Sequence, residues 1–136
     1  MGYHALDPAD LPPSQDHPCD RRSLTEAADL ATLAAAVYTL EPGEPLAQEY
    51  HYHDQREELF YVLSGTLHVE TPEEEYEVPA DETFVVEPES PIRPHNPEGA
   101  AGPVRVLGVG APKFDIGKPY DPETAEFESG QDDSDA

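Results

Sequence analysis

Two histidines and a glutamate that lie close together in the sequence are the residues best suited to chemistry. His51 and His53 are two positions apart, and residues i and i+2 of a strand share one face, so both imidazoles can point toward one place. Glu58 opens an apolar run, where a buried charge needs a partner or a metal. This set suits a divalent Fe, Mn, Zn, Ni, Co or Cu ion. Solvated histidines on a polar strand are the alternative.

The spacing of these residues resembles the first motif of the cupin superfamily. In this chain the motif reads His51-x-His53, four residues, Glu58, six residues and then Gly65. The resemblance extends over residues 34–112. It implies a small single-domain cupin, an all-β protein with an antiparallel β-barrel or jelly roll that holds the ion inside.

The second half of the chain resembles the second cupin motif, with two departures. Pro79 and Asn96 are in register with that motif, but Asp81 stands where the family has a glycine. The resemblance also places Ile92 at the position of the family's third metal histidine. This departure either opens the site or marks a site that is losing its metal. His95 would replace the missing ligand only if a bulge reversed the direction of its side chain.

The elements that must position these residues are short strands separated by turn signals. Eight such strands favour an antiparallel barrel or jelly roll. The strands are predicted at residues 36–40, 47–53, 58–63, 66–70, 75–78, 83–86, 92–96 and 104–109.

One turn signal predicts how two of these strands meet. Ser64-Gly65 is typical of a two-residue hairpin, which would pair the strands on either side of it. Leu67 and Val69 would then face inward, and His68 would lie on the outer face and outside the metal site.

The two ends of the chain differ from its centre. Residues 1–33 contain four prolines among the first 22 positions, which predicts an extended arm over the barrel or a partner. Within the arm, the capping box from Ser23 to Glu26 predicts a short helix. Residues 113–136 predict a disordered acidic tail, because positions 121–136 hold seven acids and no base.

Composition limits the classes of partner. The chain has 136 residues and a net charge of -23, from 30 acidic and 7 basic residues. Such a chain repels itself unless salt screens it, which favours a halophilic protein in a salty cytoplasm; an ordinary acidic protein with a disordered tail is the alternative. The sequence shows no basic stripe that would predict nucleic-acid binding.

Location and assembly are also expectations from the sequence. A single cysteine, Cys19, leaves no partner for an internal disulfide. No signal-like or membrane-spanning apolar segment is present, so we expect a cytoplasmic protein that does not contact membranes. A homodimer is predicted, because sheet edges need cover and the proline-rich arm can reach a neighbour.

Three functions remain open at this point. The resemblance implies enzymes such as dioxygenases, isomerases and epimerases, in which the metal acts as a Lewis acid or lowers the pKa of bound water. A second possibility is a module that binds or senses a metal or small molecule without turnover. A third is a metal-free barrel that keeps the motif as a relic, since fold does not imply function.

Overall fold

The computed structural model describes residues 2–127, which form a short 3-10 helix, one α-helix and eleven strands. The 3-10 helix is Pro8–Asp10 and the α-helix, α1, is Leu24–Ala28. The strands are β1 (Asp20–Ser23), β2 (Ala34–Leu40), β3 (His51–Tyr52), β4 (Glu57–Ser64), β5 (Thr66–Glu70), β6 (Glu75–Pro79), β7 (Thr83–Val86), β8 (Arg93–His95), β9 (Val104–Ala111), β10 (Lys118–Asp121) and β11 (Glu126–Phe127).

The strands form three antiparallel sheets, which are not closed into a barrel, one of the two architectures that the sequence predicted. The sheet orders are β1-β2-β9-β4-β7, β6-β5-β8 and β11-β10-β3. The core cluster combines side chains of the first two sheets; Val62 and Val106 come from one, Leu67 and Val69 from the other, and all four are 0% exposed. Each such side chain stabilises the fold by roughly 1.5–3 kcal/mol. The predicted β architecture is therefore confirmed, but the barrel closure is wrong for the described residues.

The predicted hairpin at Ser64-Gly65 is wrong. β4 pairs with β7 and β9, whereas β5 pairs with β6 and β8, so the chain passes from one sheet to another at this turn. Gly65 has a φ of +79°, and a Cβ there would lie 2.7 Å from the carbonyl oxygen of Pro103. Glycine is the residue that tolerates both conditions. The crossing places the inward side chains of β4 and β5 in the same core.

The N-terminal arm contains a strand, β1, and the short helix α1. β1 pairs with β2, and the Arg22 guanidinium donates to the Leu11 carbonyl at 2.7 Å, so the arm lies along the edge of its own sheet. α1 begins as the capping box predicts, because Ser23 Oγ accepts from the Glu26 N–H at 3.1 Å. A helix suited to crossing a bilayer is absent from residues 2–127.

Part of the segment predicted as a disordered tail forms strands. β10 pairs with β3 through Lys118↔Tyr52 and Pro119↔His51, and β11 pairs with β10. Acidic composition suggested disorder, but Tyr120 is only 7% exposed and adds apolar burial to these backbone pairs. The remainder of the predicted tail, positions 128–136, lies outside the described residues.

Candidate metal centre

The structure brings the three predicted ligand residues together. His51 lies in β3, His53 directly follows it and Glu58 lies in β4. One ligand atom from each residue can be chosen so that all three lie within 4.8 Å of one another. The two imidazole rings are 5.3 Å apart and nearly perpendicular. These residues could therefore hold a metal ion.

Strand alternation directs Glu58 toward the interior. Glu58, Phe60 and Val62 share the face of β4 that contributes to the core, whereas Glu57 and Leu59 are exposed on the other face. The Glu58 side chain is 13% exposed and that of His53 is 8% exposed. The carboxylate is thus a buried charge that needs a cationic partner.

Backbone carbonyls set which ring nitrogen of each histidine is available. Nδ1 of His51 lies 3.0 Å from the Glu49 carbonyl oxygen, and Nδ1 of His53 lies 2.6 Å from that of Asp115. Because a carbonyl oxygen only accepts hydrogen bonds, each Nδ1 carries the proton. The lone pair is then on Nε2, and outer-shell contacts of this kind fix the tautomer and orientation of metal-binding histidines.

Burial, and not the neighbouring carboxylate, favours a neutral His53. Burial lowers the pKa of His53; the Glu58 carboxylate opposes this effect, and the Arg56 guanidinium adds to it. The Glu58 Oε2 atom lies 3.8 Å from His53 Nε2 and 3.6 Å from Arg56 Nη1. Arg56 is itself held by the carbonyls of Pro112 and Lys113, at 3.1 and 2.6 Å. In the described structure, Arg56 is therefore the cation beside the carboxylate.

Asp115, which no sequence pattern predicted as a site residue, organises the loop between His53 and Glu58. Its carboxylate accepts from the backbone N–H groups of Gln55 and Arg56, at 2.5 and 2.7 Å, while its carbonyl accepts from His53. Asp115 is 62 residues from His53 in sequence and belongs to the segment predicted to be disordered. No spacing pattern links the two positions, so only the folded chain shows this contact.

An open cavity borders the three residues. Its lining includes both histidines, Glu58, Tyr38 and Gly117. A Cβ at position 117 would lie 3.1 Å from His51 Cδ2 and 3.5 Å from His53 Cε1, so glycine leaves room for both rings. A small molecule in this cavity would contact the candidate ligands directly.

Ile92, which the resemblance places at the position of the third metal histidine, is part of the core. Ile92 is directly opposite His51, with backbone hydrogen bonds of 3.1 and 2.8 Å between the two residues. Directly opposed residues of antiparallel strands point to the same face. Ile92 is 2% exposed and supplies no ligand.

His95 does not replace the missing ligand. It pairs with His68 across β8 and β5 and belongs to a different group of side chains, with Glu70 and Glu75. The bulge that would have turned His95 toward the first group is absent from the described β5–β8 pairing, so strand alternation holds.

Two residues of the second motif, Asp81 and Asn96, are held by hydrogen bonds in the folded chain. Asp81 has a φ of +70°, the left-handed region that glycine adopts freely and aspartate tolerates. Its carboxylate accepts from the Tyr61 hydroxyl at 3.0 Å. The Asn96 amide donates to the carbonyls of Leu40 and Gly102, at 3.0 and 2.9 Å, and is 2% exposed.

Comparison with known proteins agrees with this fold. A family model described as the cupin domain matches residues 36–110, more than half of the 136 residues, and the chain belongs to this family. Among curated protein sequences, none matches the chain.

Solved structures show the same fold. One is a cupin protein from Bacteroides fragilis, 18% identical over 85% of this chain and 89% of that one, with a TM-score of 0.66. Another is the polyketide cyclase RemF from Streptomyces resistomycificus, 15% identical over 85% and 83%, with a TM-score of 0.70. A third is a sugar phosphate isomerase of the cupin superfamily from Silicibacter pomeroyi, 20% identical over 79% and 75%, with a TM-score of 0.68. At these identities the likeness concerns the fold alone.

Proposed function

We propose that this cupin binds a divalent metal ion through His51, His53 and Glu58 and uses it as an enzyme of oxygenase or isomerase type. The observation that carries the proposal is the fixed orientation of the two imidazoles, whose Nδ1 atoms donate to backbone carbonyls and leave Nε2 free. The substrate is a small molecule in the adjacent cavity. Fe, Mn, Zn, Ni, Co and Cu are the ions that this donor set accepts.

The donor set fits such an ion. Two neutral imidazoles and a carboxylate are the ligands of three-ligand metal sites that keep positions open for substrate. The ion would act there as a Lewis acid or lower the pKa of water. Arg56 restrains the Glu58 carboxylate, and Tyr38, whose pKa burial raises, keeps a protonated hydroxyl at the cavity. These side chains suit the binding of a polar molecule.

A metal-free relic is favoured by one observation. The Arg56 guanidinium already lies 3.6 Å from the carboxylate of Glu58 and neutralises part of its charge. If this ion pair replaces the metal, the cavity would serve as a binding site without metal chemistry. Metal content decides between the two functions.

Elemental analysis of the protein, purified without an affinity tag, tests the metal proposal. His51→Ala and His53→Ala should each remove one equivalent of metal per chain, because each removes a ligand. His4→Ala, at an exposed histidine of the arm, is the matched control and should keep the metal. Retention in both site variants would mean that the assigned ligands are wrong.

Turnover separates an enzyme from a non-catalytic binding or sensing protein. The iron-loaded protein is screened for oxygen uptake, and the metal-loaded protein for isomerisation of sugar phosphates. Activity that His53→Ala abolishes and His4→Ala retains supports the enzyme. Ligand-induced stabilisation that depends on metal, with no consumption of the same ligand, supports the non-catalytic alternative.

We also propose that the protein forms a homodimer and works in a salty cytoplasm. Leu59 and Val85 are paired on the outer face of the five-stranded sheet and are 39% and 67% exposed, an apolar pair that a second copy can cover. In about 1 M salt the screening length falls to roughly 3 Å, so the net negative charge no longer opposes association. Sedimentation in molar salt should show a dimer that Leu59→Glu dissociates; a wild-type monomer would contradict the proposal.

A further inference from the structure

A second group of histidines and carboxylates lies on the outer face of the β6-β5-β8 sheet. The inward face of β5 carries Leu67 and Val69, so strand alternation places the intervening side chains on the outer face of the β6-β5-β8 sheet. The strand registers His68↔His95 and Glu70↔Glu75 bring these four outward side chains together.

Short distances connect the members of this group. His95 Nε2 lies 3.4 Å from Glu75 Oε2 and 3.8 Å from Glu70 Oε2. His68 Nδ1 lies 3.1 Å from the same oxygen of Glu75. One ligand atom each from Glu70, Glu75 and His95 can be chosen with all three within 4.8 Å. The group therefore offers carboxylate and imidazole donors around one point.

One atom in the group lacks a hydrogen-bond partner. Among the described residues, His95 Nε2 is a buried side-chain nitrogen with no partner, although the side chain is 12% exposed as a whole. A buried polar atom left without a partner is costly. If Nε2 carries a lone pair, a cation close to this nitrogen and to the oxygens of Glu70 and Glu75 would give it a partner.

The charge balance of the group also favours a cation. Arg93 Nη1 lies 3.3 Å from Glu70 Oε2, so the guanidinium compensates the negative charge of this carboxylate. Glu75 remains without a guanidinium partner among the ion pairs of the described residues, and its contacts there are to the imidazoles of His68 and His95.

We propose that Glu70, Glu75 and His95 form a second centre for a divalent transition-metal ion such as Zn²⁺, Co²⁺ or Ni²⁺, with His68 beside it. The three residues come from β5, β6 and β8. β5 lies between the other two strands, so one ion would join all three strands. The ion stabilises the sheet, because a ligand that binds only the folded chain favours that state.

Cobalt titration in a double variant tests the second centre independently of the first. His51→Ala/His53→Ala removes two ligands of the first centre, and calorimetry should still find one Co²⁺ per chain. Adding Glu75→Gln, at a half-exposed side chain, should weaken Co²⁺ binding by more than about tenfold. The loss of an outer-shell partner commonly lowers metal affinity by at least that factor, and Glu75 is proposed as a direct ligand. Adding His95→Gln should have at least the same effect.

Glu73→Gln is the matched control, because it removes the same charge from the exposed turn before β6. It should leave Co²⁺ affinity unchanged, and circular dichroism verifies that every variant is folded. Absence of Co²⁺ binding to the folded double variant would overturn the second centre, as would equal weakening by Glu73→Gln and Glu75→Gln. Neither result tests the first centre. Co²⁺ binding at the first centre is measured separately, in the single variant His95→Gln.

Discussion

The molecule has one group of histidine and glutamate on the core-facing side of β4 and another on the outer face of the β6-β5-β8 sheet, and their surroundings differ. In the first, the side chains of His53 and Glu58 are 8% and 13% exposed, and both histidines donate to backbone carbonyls. In the second, the carboxylates of Glu70 and Glu75 are 39% and 46% exposed, and His95 Nε2 has no hydrogen-bond partner among the described residues. The residue types are similar, but only the first group has its histidine tautomers set by the backbone.

This difference supports the different roles proposed for the two groups. Side chains already held in one orientation lose little freedom when a ligand binds, which is what a reactive centre beside a cavity requires. The second group lies on the surface of a sheet and joins neighbouring strands, so its proposed role is structural. Changes in the support of the first centre should therefore leave the second unaffected.

The largest expected effect comes from completing the first centre. Ile92→His places an imidazole opposite His51 and should tighten Co²⁺ binding at the first centre by about 100-fold. Changes in outer-shell contacts alone alter metal affinity by up to about this factor, and an added ligand should have at least as large an effect. Without metal the same substitution should cost about 1–3 kcal/mol of unfolding free energy, because a polar ring enters the core. Calorimetry and denaturant unfolding measure the two effects.

Ile92→Gln is the control for that experiment, since it brings a polar group of similar size but no imidazole. It should destabilise the protein without tightening Co²⁺ binding. If Ile92→His leaves affinity at the first centre unchanged, position 92 does not face the ion and the cross-strand argument is wrong.

A smaller effect is expected from loosening the first centre. Asp115→Ala removes the carboxylate that accepts from the N–H groups of Gln55 and Arg56. Metal affinity at the first centre should fall by about tenfold, as is common for outer-shell substitutions, while affinity at the second centre stays the same. Asp10→Ala, at an exposed acid of the arm, is the control. An equal loss at both centres would show a general effect of charge or stability.

The smallest effect concerns a histidine outside both groups. Burial lowers the pKa of His17 below its ordinary value of 6.5; Arg21 adds to this effect, and a hydrogen bond with Cys19 opposes it. The unfolded chain therefore binds a proton that the folded chain resists. The contribution of neutral His17 to the unfolding free energy is therefore complete above pH 6.5, and it is lost as the pH falls through the lower pKa of the folded state.

In the metal-free protein, the unfolding free energy of His17→Gln should fall less steeply below pH 6.5 than that of the wild type. The difference between the two slopes should correspond to less than one bound proton. The metal stoichiometry of both centres should stay unchanged, and the exposed His4→Gln should match the wild type in slope. Identical slopes in wild type and His17→Gln would show that burial does not hold His17 neutral. A change in stoichiometry would mean that His17 contributes to a centre.

Several features followed directly from the sequence. The alternation of Leu67 and Val69 with polar neighbours correctly predicted which face of β5 is buried, because side chains of a strand must alternate. The same rule brought His51 and His53 into one group and kept His68 out of it. These predictions depend only on residues a few positions apart.

The predictions that failed depended on distant parts of the chain. Ser64-Gly65 has the composition of a hairpin, but the backbone of Pro103 and the pairing of β4 with β9 direct the chain into another sheet. Acidic composition suggested disorder after position 112, yet β10 pairs with β3 beside the first centre. Composition and local spacing contain no information about such pairings.

The sequence by itself determined the strand periodicity, the buried faces and the identity of three candidate ligands, because these follow from local geometry and side-chain chemistry. Tertiary structure alone decided that Asp115 supports His53, that Ile92 fills the core and that His95 joins Glu70 and Glu75. The physical reason is that orientation and burial depend on contacts between segments far apart in the chain, which exist only after folding.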